Sequence, residues 1–87
     1  MTTRTVTVQA PGGLHARPAG ELVKLVKTFP ETKLTLATAA RTVGAGSLLS
    51  ILSLGLKSGT EVTVGAEGGD EAGAAEAVAA FIASVKE

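Results

Sequence analysis

The apolar residues of this chain change their spacing repeatedly along its length, and that alternation of periods restricts the fold more than any other feature. Thr5-Val6-Thr7-Val8-Gln9-Ala10 alternates polar with apolar and is rich in β-branched residues, which predicts a strand with Val6, Val8 and Ala10 on its buried face. Pro11-Gly12-Gly13 stops it. From Ala16 the spacing becomes helical: Ala19, Leu22, Val23, Val26 and Phe29 make one apolar stripe, with Glu21, Lys24 and Lys27 on the wet side. Pro30 pushes the residue before it out of the helical region, so Phe29 is expected to close this helix. Thr32-Lys33-Leu34-Thr35-Leu36 alternates again, facing the core through Leu34 and Leu36, and Arg41-Thr42-Val43 is a short third strand. Ala39-Ala40 between them is not the Asn-Gly or Asp-Gly chemistry of a tight hairpin, which leaves the register there open.

The second half also changes its spacing from element to element. Ser47 is an expected N-cap and Gly55 an expected left-handed terminus for a helix of about two turns over Leu48-Leu49-Ser50-Ile51-Leu52-Ser53-Leu54. Glu61-Val62-Thr63-Val64 alternates as the last strand, and Gly65-Ala66-Glu67-Gly68-Gly69 reads as a loop. Asp70 caps a final Ala-rich helix whose Ala74, Val78, Phe81, Ile82 and Val85 share a face, with Glu71 and Lys86 at the ends its dipole prefers. The order is β-α-β-β-α-β-α. Four short strands cannot bury a face alone, so the expected architecture is α+β: one four-stranded antiparallel sheet with three helices over one side.

The 87 residues include no cysteine, so neither disulfides nor thiolate metal sites can support the fold, and packing of a 45% hydrophobic composition must do so. Residues 1–87 are read as a single domain. Eight basic and eight acidic residues are scattered rather than clustered, which argues against a nucleic-acid footprint. Two Phe, with no Trp or Tyr, offer no stacking platform for bases. Met1-Thr2-Thr3-Arg4-Thr5-Val6 lacks the apolar run of a signal peptide, and no segment approaches the roughly 20 apolar residues of a membrane span. A soluble, cytoplasmic monomer is expected.

The chemistry concentrates in Gly12-Gly13-Leu14-His15-Ala16-Arg17-Pro18-Ala19, which holds the one histidine of the chain. The glycines permit a sharp turn that presents His15 at a corner. A helix starting at Ala16 leaves its first amides unpaired, so the N–H groups of Ala16 and Arg17 face outward with the positive end of the macrodipole and form an anion site. Pro18 suits a first helical turn, where its missing N–H costs nothing. Arg17 adds a fixed positive charge and a planar fork of donors. A histidine in that field should remain neutral near pH 7, as a nucleophile must. A phosphoryl group on the ring would be favoured by roughly 0.3 to 2 kcal/mol, modest enough to be passed on.

Gly-Leu-His-Ala-Arg-Pro-Ala, seven residues from Gly13 to Ala19, resembles the active-site motif of HPr, the histidine-containing phosphocarrier of the bacterial phosphoenolpyruvate-dependent sugar phosphotransferase system. The resemblance extends over the whole chain through the element order and implies an open-faced β-sandwich. It also implies a function: His15 accepts a phosphoryl group from phosphorylated enzyme I and passes it to the sugar-specific enzyme IIA, with Arg17 balancing charge. The protein is then a covalent relay rather than an enzyme, without cofactor or metal, since one histidine without clustered carboxylates offers too few ligands. HPr relatives meet their partners through the short helix beside the active-site loop. Here that implies a docking patch among Leu48, Leu49, Ile51 and Leu52, the alternative being that all four are core.

In some Gram-positive members the serine opening that helix is phosphorylated by a dedicated kinase, and Ser47 falls at its place. Gly46 stands where regulated members carry a basic residue and Ser50 where they have glycine, so a plain capping role is the first reading of Ser47. Three rivals remain: a nitrogen-type regulatory phosphorelay, a noncovalent anion-binding module at the His15 helix start, and an enzyme with His15 as general base. The last lacks a second acid, base or nucleophile at any recognisable spacing.

Overall fold

The computed structural model describes residues 1–14 and 16–85. Its elements run β1 (Thr2–Thr7), α1 (Ala16–Val26), β2 (Lys33–Ala37), β3 (Thr42–Gly44), α2 (Leu48–Ser53), β4 (Glu61–Glu67) and α3 (Glu71–Ser84). The strands form one antiparallel sheet of order β1-β4-β2-β3, and the β-α-β-β-α-β-α succession is the expected one.

Alternation builds the core on one side of that sheet. Val62, Val64 and Ala66 of β4 and Leu34 and Leu36 of β2 are buried beneath the helices. Glu61, Thr63 and Glu67 alternate with the first set and Lys33 and Thr35 with the second, on the open face. The helices supply the other half of the core through Ala19, Leu22 and Val26 of α1, Ile51 of α2, and Ala74, Ala75, Val78 and Ile82 of α3. Helix α3 packs on β1 and β4, α1 on both other helices, and α2 on α1 and β3. Phe81 is only half-buried at the rim of that core.

Several boundaries move from their expected places, each for a reason of pairing. Strand β1 begins at Thr2 rather than Thr5, because β4 is long enough to pair with it from Thr2↔Ala66 to Thr7↔Glu61. Beyond Thr7 the ladder gives way to single bonds, Val8 N–H to Thr60 O at 2.9 Å and Gly59 N–H to Val8 O at 2.8 Å, while Val8 and Ala10 remain buried as expected.

Strand β4 runs through Gly65 to Glu67, a stretch that reads as a loop in sequence. Gly65 lies between Thr3 and Thr35, and an added Cβ would approach Met1 Cε to 2.6 Å and Thr35 Oγ1 to 2.7 Å. Here glycine marks close packing within a sheet rather than its end. Helix α1 stops at Val26, three residues before Phe29, and the chain finishes in tighter bonds, Thr28 N–H to Leu25 O and Phe29 N–H to Val26 O, both at 3.0 Å. Strands β2 and β3 each lie one residue later than the sequence suggests.

The β2–β3 register, open in sequence, pairs Leu36 with Val43 and Ala37 with Thr42. The turn is closed by Thr38. Its N–H donates to Arg41 O at 2.9 Å, and its Oγ1 accepts from Ala40 N–H at 3.2 Å and Arg41 N–H at 3.4 Å. A threonine hydroxyl thus does the work of the missing Asn-Gly pair.

Candidate functional site

The loop ahead of α1 is held by two backbone hydrogen bonds and one buried side chain. Gly13 N–H donates to Ala10 O at 2.9 Å to close the Pro11-Gly12 turn, and Leu14 N–H donates to Leu56 O at 3.0 Å. Of the two glycines, Gly13 is the one that needs its freedom: its φ is +73°, and a Cβ there would collide with the Leu56 carbonyl oxygen. Gly12 carries no positive φ, so only half of the expected glycine requirement applies. Leu14, 5% exposed, anchors the loop in the core. The segment that follows α2 therefore clamps the loop, and Leu56, which the sequence reading did not single out, is part of the site's frame. The signal for it was faint: a leucine just past the helix-ending Gly55.

His15 lies outside the described residues, between Leu14 and Ala16 in the chain. Helix α1 begins at Ala16, where the sequence places it. Ala16 and Arg17 are exposed, while Pro18 and Ala19 are buried within the first turn. No acidic side chain occupies that first turn, so α1 supplies no carboxylate of its own to its positive end. The exposed Lys24 follows along the helix, and the exposed Lys27 comes just past its end.

Helix α2 packs on α1, which brings the second group of candidates to the same side of the molecule. Ser47 is its N-cap, as expected, with extended backbone and an Oγ that accepts from Ser50 N–H at 3.4 Å. Gly55 ends the helix with φ +62°, also as expected. The four apolar candidates divide. Leu49 is 79% exposed, Leu48 39% and Leu52 36%, whereas Ile51 is fully buried. Ile51, expected as a candidate for docking, is instead core: it faces inward, and a short helix must spend an apolar residue to stay attached. No residue of α2 is charged.

Among the described residues, no group of three or more His, Cys, Asp or Glu comes together to hold a metal ion, and no helix is long and apolar enough to cross a membrane.

Comparison with known proteins agrees with this geometry. The family model PTS-HPr, described as the PTS HPr component phosphorylation site, matches residues 2–84. The phosphocarrier protein HPr of Haemophilus influenzae is 35% identical over 86 residues, which span 99% of this chain and 100% of that protein. The crystal structure of HPr-C-His from Thermoanaerobacter tengcongensis superposes with a TM-score of 0.89 at 34% identity, covering 97% of this chain and 93% of that one. For a phosphocarrier protein HPr from Bacillus anthracis the values are 0.87 and 33%, over 93% and 95% of the two chains. This chain accordingly belongs to the PTS-HPr family, the histidine-containing phosphocarriers of the phosphotransferase system.

Proposed function

We propose that His15 is the phosphoryl acceptor, charged by phosphorylated enzyme I with phosphoenolpyruvate as ultimate donor, and that it passes the group to enzyme IIA. An imidazole nitrogen forms the N–P bond as the donor's bond to phosphorus breaks, and the reverse exchange on a second protein completes the relay. The protein has no turnover of its own in this scheme and acts as one domain, a cytoplasmic monomer between enzymes. One observation above all supports the reading: α1 begins at Ala16, immediately after His15 in the chain, with Ala16 and Arg17 exposed and no acidic side chain in its first turn.

In this reading the amides of Ala16 and Arg17 bind the phosphoryl oxygens and the Arg17 guanidinium balances their charge. Leu48, Leu49 and Leu52 form the docking face. Phosphorylation of Ser47 by a serine kinase would add a dianion beside those leucines and lower docking by charge and desolvation rather than by refolding the domain.

Intact mass after incubation with phosphoenolpyruvate and enzyme I is the test. One added phosphoryl group, removed by acid, spared by alkali and absent in His15→Ala, is the expected result. No added mass beside a competent HPr control would overturn the assignment and leave a noncovalent anion-binding role.

A further inference from the structure

A helix leaves its last carbonyls without partners inside it, and in α2 these belong to Ser50, Ile51, Leu52 and Ser53. Three are met by neighbours in sequence: Ser53 Oγ donates to Ser50 O at 2.7 Å, and Leu54 N–H to Ile51 O and Gly55 N–H to Leu52 O, both at 3.2 Å. The fourth is met from another element. Arg41 Nη2 donates to Ser53 O at 2.7 Å, reaching from the β2–β3 turn to the end of the helix.

Arg41 is itself held in place at that turn, its N–H on Thr38 Oγ1 at 3.4 Å and its carbonyl accepting from Thr38 N–H at 2.9 Å. The contact puts a cation at the negative end of the α2 dipole through a charge-assisted bond. A six-residue helix is far too short to order itself, its N-cap bond is long at 3.4 Å, and it has no basic residue in its last turn. The order of α2 therefore depends on what grips it from outside.

We propose that Arg41 is a positioning residue for phosphoryl exchange: by holding the Ser53 carbonyl it fixes the pose of α2 and so presents Leu48, Leu49 and Leu52 to the partner protein. The inference rests on those leucines being the docking face. Its test combines amide exchange at Ile51, Leu54 and Gly55 with the KM and kcat of enzyme I for the full chain as substrate.

In Arg41→Ala, exchange at these amides should quicken by about 3- to 10-fold, the loss of one hydrogen bond, and KM should rise by a similar factor with kcat unchanged. Arg41→Lys should recover part of both, and Arg4→Ala, which removes a charge far from α2, should change neither. Unaltered exchange in Arg41→Ala overturns the proposal, and if KM nevertheless rises, Arg41 touches the partner directly. Faster exchange with unchanged KM overturns it as well. Leu49→Ala then separates the two failures: a raised KM in that variant keeps the docking face, and an unchanged one removes it too.

Discussion

Gly13 and Glu71 show how single residues hold the ends of elements in this protein. Gly13→Ala combines a left-handed backbone with a collision against the Leu56 carbonyl, and should cost about 2 to 3 kcal/mol in urea unfolding. Phosphoryl acceptance should slow with it, because the Leu14–Leu56 bond lies just ahead of His15. Glu71 accepts from Gly68 N–H at 2.8 Å and Thr2 Oγ1 at 3.2 Å and lies 3.4 Å from the Met1 ammonium. The Gly68 bond foremost, then the ammonium and the Thr2 hydroxyl, hold its carboxyl below the ordinary range against some desolvation. Because the folded value lies below the unfolded one of about 4.3, the stability it adds is present above that pH and is lost as pH falls through the folded value. Melting of Glu71→Gln should therefore depend less on pH than that of the unaltered chain between about pH 5 and pH 3. At this scale the caps Ser47 and Asp70 were legible in sequence, since each side chain acts on an amide three residues away. Thr38 was not, because a turn closed by a hydroxyl outside the central pair leaves no Asn-Gly signature.

At the scale of elements, α2 separates stability from its proposed docking role along one short stretch. Ile51→Ala empties a fully buried site and should cost about 2 to 5 kcal/mol in denaturant unfolding. Leu49→Ala, at a side chain 79% exposed, should leave stability within about 0.5 kcal/mol while raising the KM of phosphoryl exchange with enzyme I. A large stability loss in Leu49→Ala would contradict the exposure on which this contrast stands. The existence and type of every element could be read from periodicity and caps, whereas several of their ends could not. Where α1 stops and where β4 continues are set by neighbours, the tight bonds at Thr28 and Phe29 in one case and the flanking Thr3 and Thr35 in the other. The leucines proposed for docking do not separate from Ile51 in sequence, because six residues without charge show no charged face to orient them.

For the whole molecule, the spatial order of strands is the part that periodicity left undetermined. Strand β1, first in the chain, has β4 as its one neighbour in the sheet, and β3 forms the other edge. A fragment ending before Glu61 should consequently show no protected amides over residues 2–7, measurable by hydrogen exchange, however helical residues 16–26 become. The loop before α1 also waits on a later residue, since Leu14 N–H donates to the carbonyl of Leu56. During synthesis on a ribosome, the corner proposed to accept the phosphoryl group therefore gains its anchor only after α2 has been translated. A nascent chain that still lacks Leu56 should accordingly be a poor acceptor of the phosphoryl group.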